Sequence, residues 1–182
     1  YKIIPFRGDY YLLNKIHNNI VNHLIYPVPD PKYPFLGVHL TKMIDGTVTV
    51  GPNAVLNISR ENYNKLNFNL YDFLDMVMYQ GFWKLILKNM IPGFKELYSS
   101  LRKKRYLSLC QKYCPSISLS DLEPYRSGIR AQAVSKSGDL IHDFIIEETS
   151  KTLHVCNAPS PAATSSIPIG EYITNLISKK IS

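Results

Sequence analysis

The sequence predicts an α+β fold: an antiparallel sheet with covering helices, then further strands and one last helix. Three observations carry this. Strand patterning fills residues 1–58, helical spacing fills 59–123, and strands return from 128 ahead of a final amphipathic helix. Asp45-Gly46 lies between two strand-like runs, the strongest short hairpin signal. An apolar fraction of 45% is enough for a packed core and excludes a disordered chain.

Taken in order, "KIIPFRGDYYLL" reads as a strand kinked at Gly8. "NNIVNHLIYPVP" reads as a second strand, stopped by Pro27 and Pro29, because proline cannot donate to a ladder. "FLGVHLTKMI" and "TVTVGPNAVL" form the hairpin arms. In the latter, Val48 and Val50 share one face and threonines the other, which predicts a half-buried antiparallel strand. "YDFLDMVMYQGFWKLILKNMI" places Leu70, Phe73, Leu74, Val77 and Gly81 at helical spacing. Asn69 with Asp72 resembles a capping box. Gly81 is expected to divide this segment, and Pro92-Gly93 to end it. "FKELYSSLRKKRYLSLCQKYC" reads as one helix closed by Pro115, and "SLSDLEP" as a short capped turn.

Beyond residue 127 come "GIRAQAV", a turn at Lys136–Asp139, the strand-like "LIHDFIIEE" and a short strand at 152–156. From Ile169 onward, Ile169, Ile173, Leu176, Ile177 and Ile181 define one apolar helix stripe. Pro168 is tolerated in that helix's first turn, where a missing N–H costs nothing.

A net charge of +7 suits an anionic ligand, a nucleic acid or a membrane surface without choosing among them. Nucleic acid is set aside because no recognition module accompanies the charge. The basic run "LRKKRY" reads as a solvated helix face, with attachment to an anionic membrane surface as the minority reading. No apolar run is long enough to span a bilayer. Three cysteines without a secretion signal fit reduced thiols in a cytoplasmic protein. Cys110 and Cys114 have no second ligand pair, so no metal is expected.

Few residues stand out for chemistry. Arg130 sits mid-strand between Ile129 and Ala131, where an unpaired charge is costly. Its planar fork matches a carboxylate. A substrate clamp and a structural ion pair with Asp143, Glu147 or a distant acid both remain open, the ion pair slightly ahead. His39, in "GVHLT", could accept a hydroxyl proton as a neutral imidazole, or bond a strand neighbour. Tyr26, at a strand end, could donate a hydroxyl or pack as an aromatic. "NAPSPAAT", residues 157–164, combines small residues with prolines just ahead of a helix N-terminus. Such an end carries about half a positive charge and exposed N–H donors, suited to an anion or to a ring carbonyl that becomes negative. An ordinary proline-rich loop is the alternative. No GxGxxG, P-loop, HExxH or GxSxG motif occurs.

The segments "LIYPVPDPKYPFLGVHLTKMIDGTVTVGPNAVL", "QKYCP", "GIRAQAVS" and "LHVCNAPSPAATSSIPIGEYI" closely resemble the FAD-dependent L-2-hydroxyglutarate oxidase/dehydrogenase family of the D-amino-acid-oxidase-like flavoprotein superfamily. The resemblance covers nearly the whole chain and is weakest between residues 60 and 105. It implies the C-terminal portion of a longer two-domain α/β enzyme, whose N-terminal part would carry the Rossmann glycine motif. Residues 1–127 would be most of the substrate domain, and 128–182 would return to the FAD domain.

The implied chemistry is oxidation of L-2-hydroxyglutarate to 2-oxoglutarate, with hydride passing to flavin N5 and electrons then to oxygen or a membrane quinone. That would leave the protein cytoplasmic, with peripheral contact at the inner membrane as a further expectation. Related enzymes clamp the substrate carboxylate through a glycine-hydrophobic-arginine-proline motif. Gly128-Ile129-Arg130-Ala131 keeps the arginine and replaces the proline, so the resemblance assigns the clamp to Arg130. It assigns Tyr26 to the substrate, His39 to the base, and Asn157, Ala158, Pro159, Ser160, Pro161, Ala162, Ala163 and Thr164 to the cofactor. Here "NAPSP" replaces the family's glycine-rich run. Another 2-hydroxy acid, an amino acid or glycerol 3-phosphate as substrate, or a non-catalytic anion-binding module, are the alternatives.

Overall fold

The computed structural model describes residues 1–28, 37–61, 63, 68–159 and 162–181. Among these residues the fold is α+β, with antiparallel sheets and five α-helices. Strand β1 (Lys2–Gly8) runs through the kink at Gly8 into β2 (Tyr11–Leu13). The hairpin arms are β3 (His39–Lys42) and β4 (Val48–Gly51), with Gly46 at φ 84° in the turn, a left-handed conformation that favours glycine. A short β5 (Val55–Leu56) follows. The helical block comprises α1 (Leu70–Val77), α2 (Gln80–Lys88), α3 (Met90–Leu101) and α4 (Lys103–Cys110). Then come β6 (Leu122–Pro124), β7 (Gly128–Val134), β8 (Ile146–Glu148), β9 (Leu153–Val155) and α5 (Ser166–Ile181).

These strands form three antiparallel sheets in the orders β5-β1-β7, β3-β4-β2-β6 and β8-β9. Strand β7 pairs with β1 along its full length, from Lys2↔Val134 to Gly8↔Gly128. The expected division at 127/128 therefore runs through a sheet. One core lies between the four-stranded sheet and α4, and includes Leu13, Leu40, Val48, Val50, Tyr106, Cys110 and Leu122. A second gathers Ile4, Met76, Phe82, Leu85 and Val134 between the three-stranded sheet and α1–α2. Cys110 belongs to the first core, and burial pushes its thiol up to about 12, well away from reactivity.

Several boundaries differ from expectation. "NNIVNHLIYPVP" forms no strand among the described residues. A 3-10 turn at Lys15–His17 precedes it, and a single bridge, Ile25 to Leu40, is its β-pairing. Asn14 accepts from the Ile16 N–H and caps that turn, so local side-chain bonding competes with the ladder. Pro29 lies outside the described residues. The expected half-burial of β4 is corrected too: Thr49 is buried along with Val48 and Val50, because β4 is a central strand between β3 and β2.

Asn69 caps α1, accepting from the N–H groups of Tyr71 and Asp72. The break before α2 falls at Met78–Tyr79 rather than at Gly81. Pro92 does not end a helix but sits in the first turn of α3, where it is tolerated. The long helix expected after it divides at Arg102, which is extended (φ −121°, ψ 101°) and stacks its guanidinium on the Tyr98 ring at 5.0 Å. The break turns Tyr106 fully into the core. There its hydroxyl lies 3.1 Å from the carbonyls of both Asp9 and Val50. "LIHDFIIEE" is strand only at Ile146–Glu148, after an isolated bridge from Leu140 to Val134. Serine 118 and Asp121 form the expected capped turn.

Gly81 has a packing role instead. A Cβ there would lie 2.2 Å from the Ser135 carbonyl oxygen, so α2 rests its backbone on the end of β7. Gly81→Ala should destabilise the protein by about 1–3 kcal/mol through overpacking, read as a lower denaturant midpoint at constant m-value. An unchanged midpoint would show that α2 can move away without cost.

Candidate functional site

The two strands that run along the longest sheet also build the wall of a cavity of about 650 Å³. Strand β7 is the edge strand of its sheet, and consecutive residues from Gly128 to Ala133 line the cavity. The end of β1 and the turn after it contribute Arg7 and Tyr10, β3 contributes His39, the loop after β4 contributes Asn53, and the segment before α5 supplies Ala158, Ala162 and Ala163. Among the described residues lining it are two arginines, two histidines, two asparagines and a glutamine, but no aspartate or glutamate. It is built for an anion. A second cavity of similar size is largely apolar, with walls from α2, α3 and β5, and lacks that convergence of polar groups.

Arg130 is exposed within the first cavity, opposite Phe6 in the ladder. Neither Asp143, Glu147 nor any other described carboxylate pairs with it, which removes the ion-pair alternative among the described residues. Its charge is felt by Tyr10. Burial raises the Tyr10 phenol above its ordinary value, and Arg130 pulls it partly back.

His39 is 8% exposed. Its Nδ1 lies 3.2 Å from the Gly37 carbonyl oxygen. That oxygen can only accept, so Nδ1 carries the proton and Nε2 keeps a lone pair. Burial holds the imidazole below its ordinary pKa, with the Gly37 hydrogen bond opposing. The ring is therefore neutral and fixed in one tautomer, as a proton acceptor must be. Tyr26 does not line the cavity. Its ring stacks on His39 at 4.2 Å and 26°, which holds the imidazole plane.

The segment before α5 divides in role. Asn157 commits both ends of its side chain. Its Oδ1 accepts from the Ile145 N–H at 2.6 Å and its Nδ2 donates to the Asp143 carbonyl at 3.0 Å. It thus ties the segment to the approach of β8, which leaves its backbone and one Nδ2–H for a ligand. Ala158, Pro159, Ala162, Ala163 and Thr164 line the cavity. Ser160 and Pro161 lie outside the described residues. A wall of methyl-sized side chains leading into the first turn of α5, where N–H groups lack intrahelical acceptors, fits the electron-rich edge of a flat ring.

The sequence reading gave no role to Arg7, Tyr10, Asn53 or His142, all of which line the cavity. For Arg7 a signal existed: an arginine one residue before a glycine kink, two before an acid. Asn53 had none, since a turn asparagine is ordinary.

A family model described as FAD dependent oxidoreductase matches residues 1–176. The chain is 56% identical over 175 residues to the L-2-hydroxyglutarate dehydrogenase of Escherichia coli (strain K12), covering 96% of this chain and 42% of that protein. It is 47% identical over 169 residues to the L-2-hydroxyglutarate dehydrogenase of Indibacter alkaliphilus, covering 93% and 42%. With the mitochondrial L-2-hydroxyglutarate dehydrogenase of Nematostella vectensis it shares 45% over 179 residues, covering 96% and 39%. The chain thus spans about 42% of the length of the first of these relatives.

Proposed function

Because the chain belongs to the FAD dependent oxidoreductase family, we propose that the whole protein oxidises L-2-hydroxyglutarate to 2-oxoglutarate. Residues 1–127 then form most of the substrate domain and 128–182 return to the FAD domain, with β7 shared between them. One observation carries this reading. A single cavity without a described carboxylate holds an unpaired arginine, a neutral histidine and a small-residue wall at a helix N-terminus.

In this proposal Arg130 holds the carboxylate beside the carbinol carbon with its two-pronged guanidinium. Clamping both oxygens fixes the rotation of the substrate, so that the C–H bond faces the alanine wall. His39 Nε2 takes the hydroxyl proton as the carbonyl forms, and Tyr26 keeps the imidazole plane in place. Bound FAD would supply the two-electron acceptor for the hydride leaving that carbon. Ala158, Pro159, Ala162, Ala163 and Thr164, with the Asn157 backbone, would hold the pyrimidine edge of its ring, and Ser160 and Pro161 belong to the same stretch. The first turn of α5 would place partial positive charge there.

Electrons would then leave to oxygen or to a membrane quinone. Among the described residues no helix is long and apolar enough to cross a membrane, so the quinone route would need peripheral contact, for which Arg102, Lys104 and Arg105 are the basic candidates.

The test is anaerobic mixing of the full-length flavoprotein with L-2-hydroxyglutarate. The flavin absorbance should bleach at substrate concentrations that leave it intact with glycerol 3-phosphate or an amino acid. Bleaching by one of those instead would sink the substrate assignment. Re-oxidation of the bleached protein by air, against a soluble quinone, then separates the two acceptors.

A further inference from the structure

The cavity has a second set of unsatisfied donors, away from Arg130. Arg7 is 6% exposed and Asn53 is 5% exposed, and both line the cavity. The Nε of Arg7 donates to Asp9 Oδ1 at 2.9 Å. Among the described residues the two Nη nitrogens of Arg7 have no hydrogen-bond partner. A guanidinium has five N–H donors, so the Nη groups of Arg7 remain available to a ligand in the cavity that Arg7 lines.

Asn53 shows the same pattern. Its Oδ1 accepts from the Asp9 N–H at 2.7 Å, while its Nδ2 is enclosed and unpaired among the described residues. The amide cannot flip to relieve this, since a flip would set Nδ2 against the Asp9 N–H.

Asp9 is the hub of both. It is 2% exposed and does not line the cavity. Its Oδ2 accepts from Ser100 Oγ at 2.5 Å and its Oδ1 from Ser127 Oγ at 3.1 Å. The carboxylate is held from several sides, so it cannot turn to cap the Arg7 Nη groups. Asp9 thus holds both side chains through one buried acid, and no described aspartate or glutamate lines the cavity they border.

The sheet register separates these donors from Arg130. Phe6 faces Arg130 across the ladder and Arg7 faces Ile129, so strand alternation sends the two arginines to opposite faces. Both arginines nevertheless line the one cavity that runs along the edge strand β7. Two separate guanidiniums on one cavity suit a ligand with an anionic group at each end.

We propose that Arg7 and Asn53 form a second carboxylate subsite, which takes the distal carboxylate of a dicarboxylic 2-hydroxy acid while Arg130 takes the one beside the carbinol. This rests on the hydroxy-acid reading above and adds the residues that would select a dicarboxylate. A site built to pair a charged group discriminates strongly against an analogue that lacks it, because its own donors are then stranded.

The test compares L-2-hydroxyglutarate with L-2-hydroxypentanoate, which has the same carbon chain and no distal carboxylate, in the full-length holoenzyme. The ratio of their kcat/KM values is read for the wild type, Arg7→Lys and Asn53→Asp. Arg7→Lys keeps a cation for Asp9 and removes the fork. Asn53→Asp keeps the acceptor for the Asp9 N–H and replaces the donor with an acid. Each should lower the dicarboxylate preference on the order of 100-fold. Arg130→Lys, by contrast, should weaken both substrates together and leave the ratio in place.

A wild type with no dicarboxylate preference overturns the substrate reading itself. A wild type that prefers the dicarboxylate, with variants that keep the ratio or lose both substrates equally, overturns only the subsite and returns the Asp9 network to a structural role. Should both variants lose their flavin, a crystal structure of the wild type with glutarate decides. A carboxylate against Arg7 Nη and Asn53 Nδ2 supports the subsite, and one bound elsewhere overturns it.

Discussion

Arg130→Lys in the full-length protein should raise KM for the hydroxy acid about 100-fold while the flavin stays bound. The direction follows from geometry. A guanidinium makes two parallel charge-assisted hydrogen bonds to a carboxylate, and an ammonium presents a point charge without the matching fork. Each such bond is worth about 1.5–3 kcal/mol, so losing one good bond and the register it imposes accounts for the expected change. The fold should tolerate the change, because Arg130 is exposed and has no ion pair among the described residues to break. Unchanged steady-state kinetics would mean that Arg130 merely lines the cavity. Loss of flavin would mean that it supports the cofactor rather than the substrate.

His39→Gln should lower kcat by about 10²–10⁴-fold, the usual contribution of a positioned base, and should also remove the acidic limb of the pH profile. The sign follows from the environment of the ring. Burial disfavours the imidazolium, so His39 ionises below the ordinary histidine range. The active form is neutral. Activity should therefore persist as pH falls through the ordinary range, and decline only as it passes the depressed pKa of His39. Glutamine keeps a donor for the Gly37 carbonyl but cannot accept a full proton. An acidic limb that survives in the glutamine variant would assign the base to another group. His142, which also lines the cavity, is the first to examine.

The parts of the fold that were legible in the sequence are those where local chemistry and tertiary context agree. Asp45-Gly46 makes its hairpin because the turn needs a positive φ. Asn69 caps α1 because its oxygen reaches two orphan N–H groups. Pro168 enters α5 in its first turn. The failures have physical causes. The segment 18–28 has strand composition but only the bridge at Ile25, so its side chains alone could not reveal its pairing. The break at Arg102 carries no proline or glycine. It is set by the need to turn Tyr106 inward and by the Arg102–Tyr98 stack.

The site divides in the same way. Arg130 and His39 were visible as polar residues within strands. The small residues and prolines pointed to the 157–164 segment and the resemblance narrowed its ligand, but neither pointed to the bonding of the Asn157 side chain to the 143–145 backbone. Arg7, Asp9 and Asn53 became visible only through contacts between positions far apart in sequence, as when Ser100 and Ser127 converge on one buried acid.

The full-length pairing of β1 with β7 also bears on how the protein is made. Lys2 finds its partner at Val134, far along this stretch of sequence. During translation β1 leaves the ribosome well before β7 exists, and one side of β1 offers unpaired N–H and C=O groups in the meantime. Such an open edge invites pairing with a neighbouring nascent chain, and long-range ladders of this kind close slowly. The strand that completes the sheet also carries Arg130. Closing that edge and completing the cavity wall are therefore one event, so a chain stalled before β7 is adhesive and lacks the wall that carries Arg130.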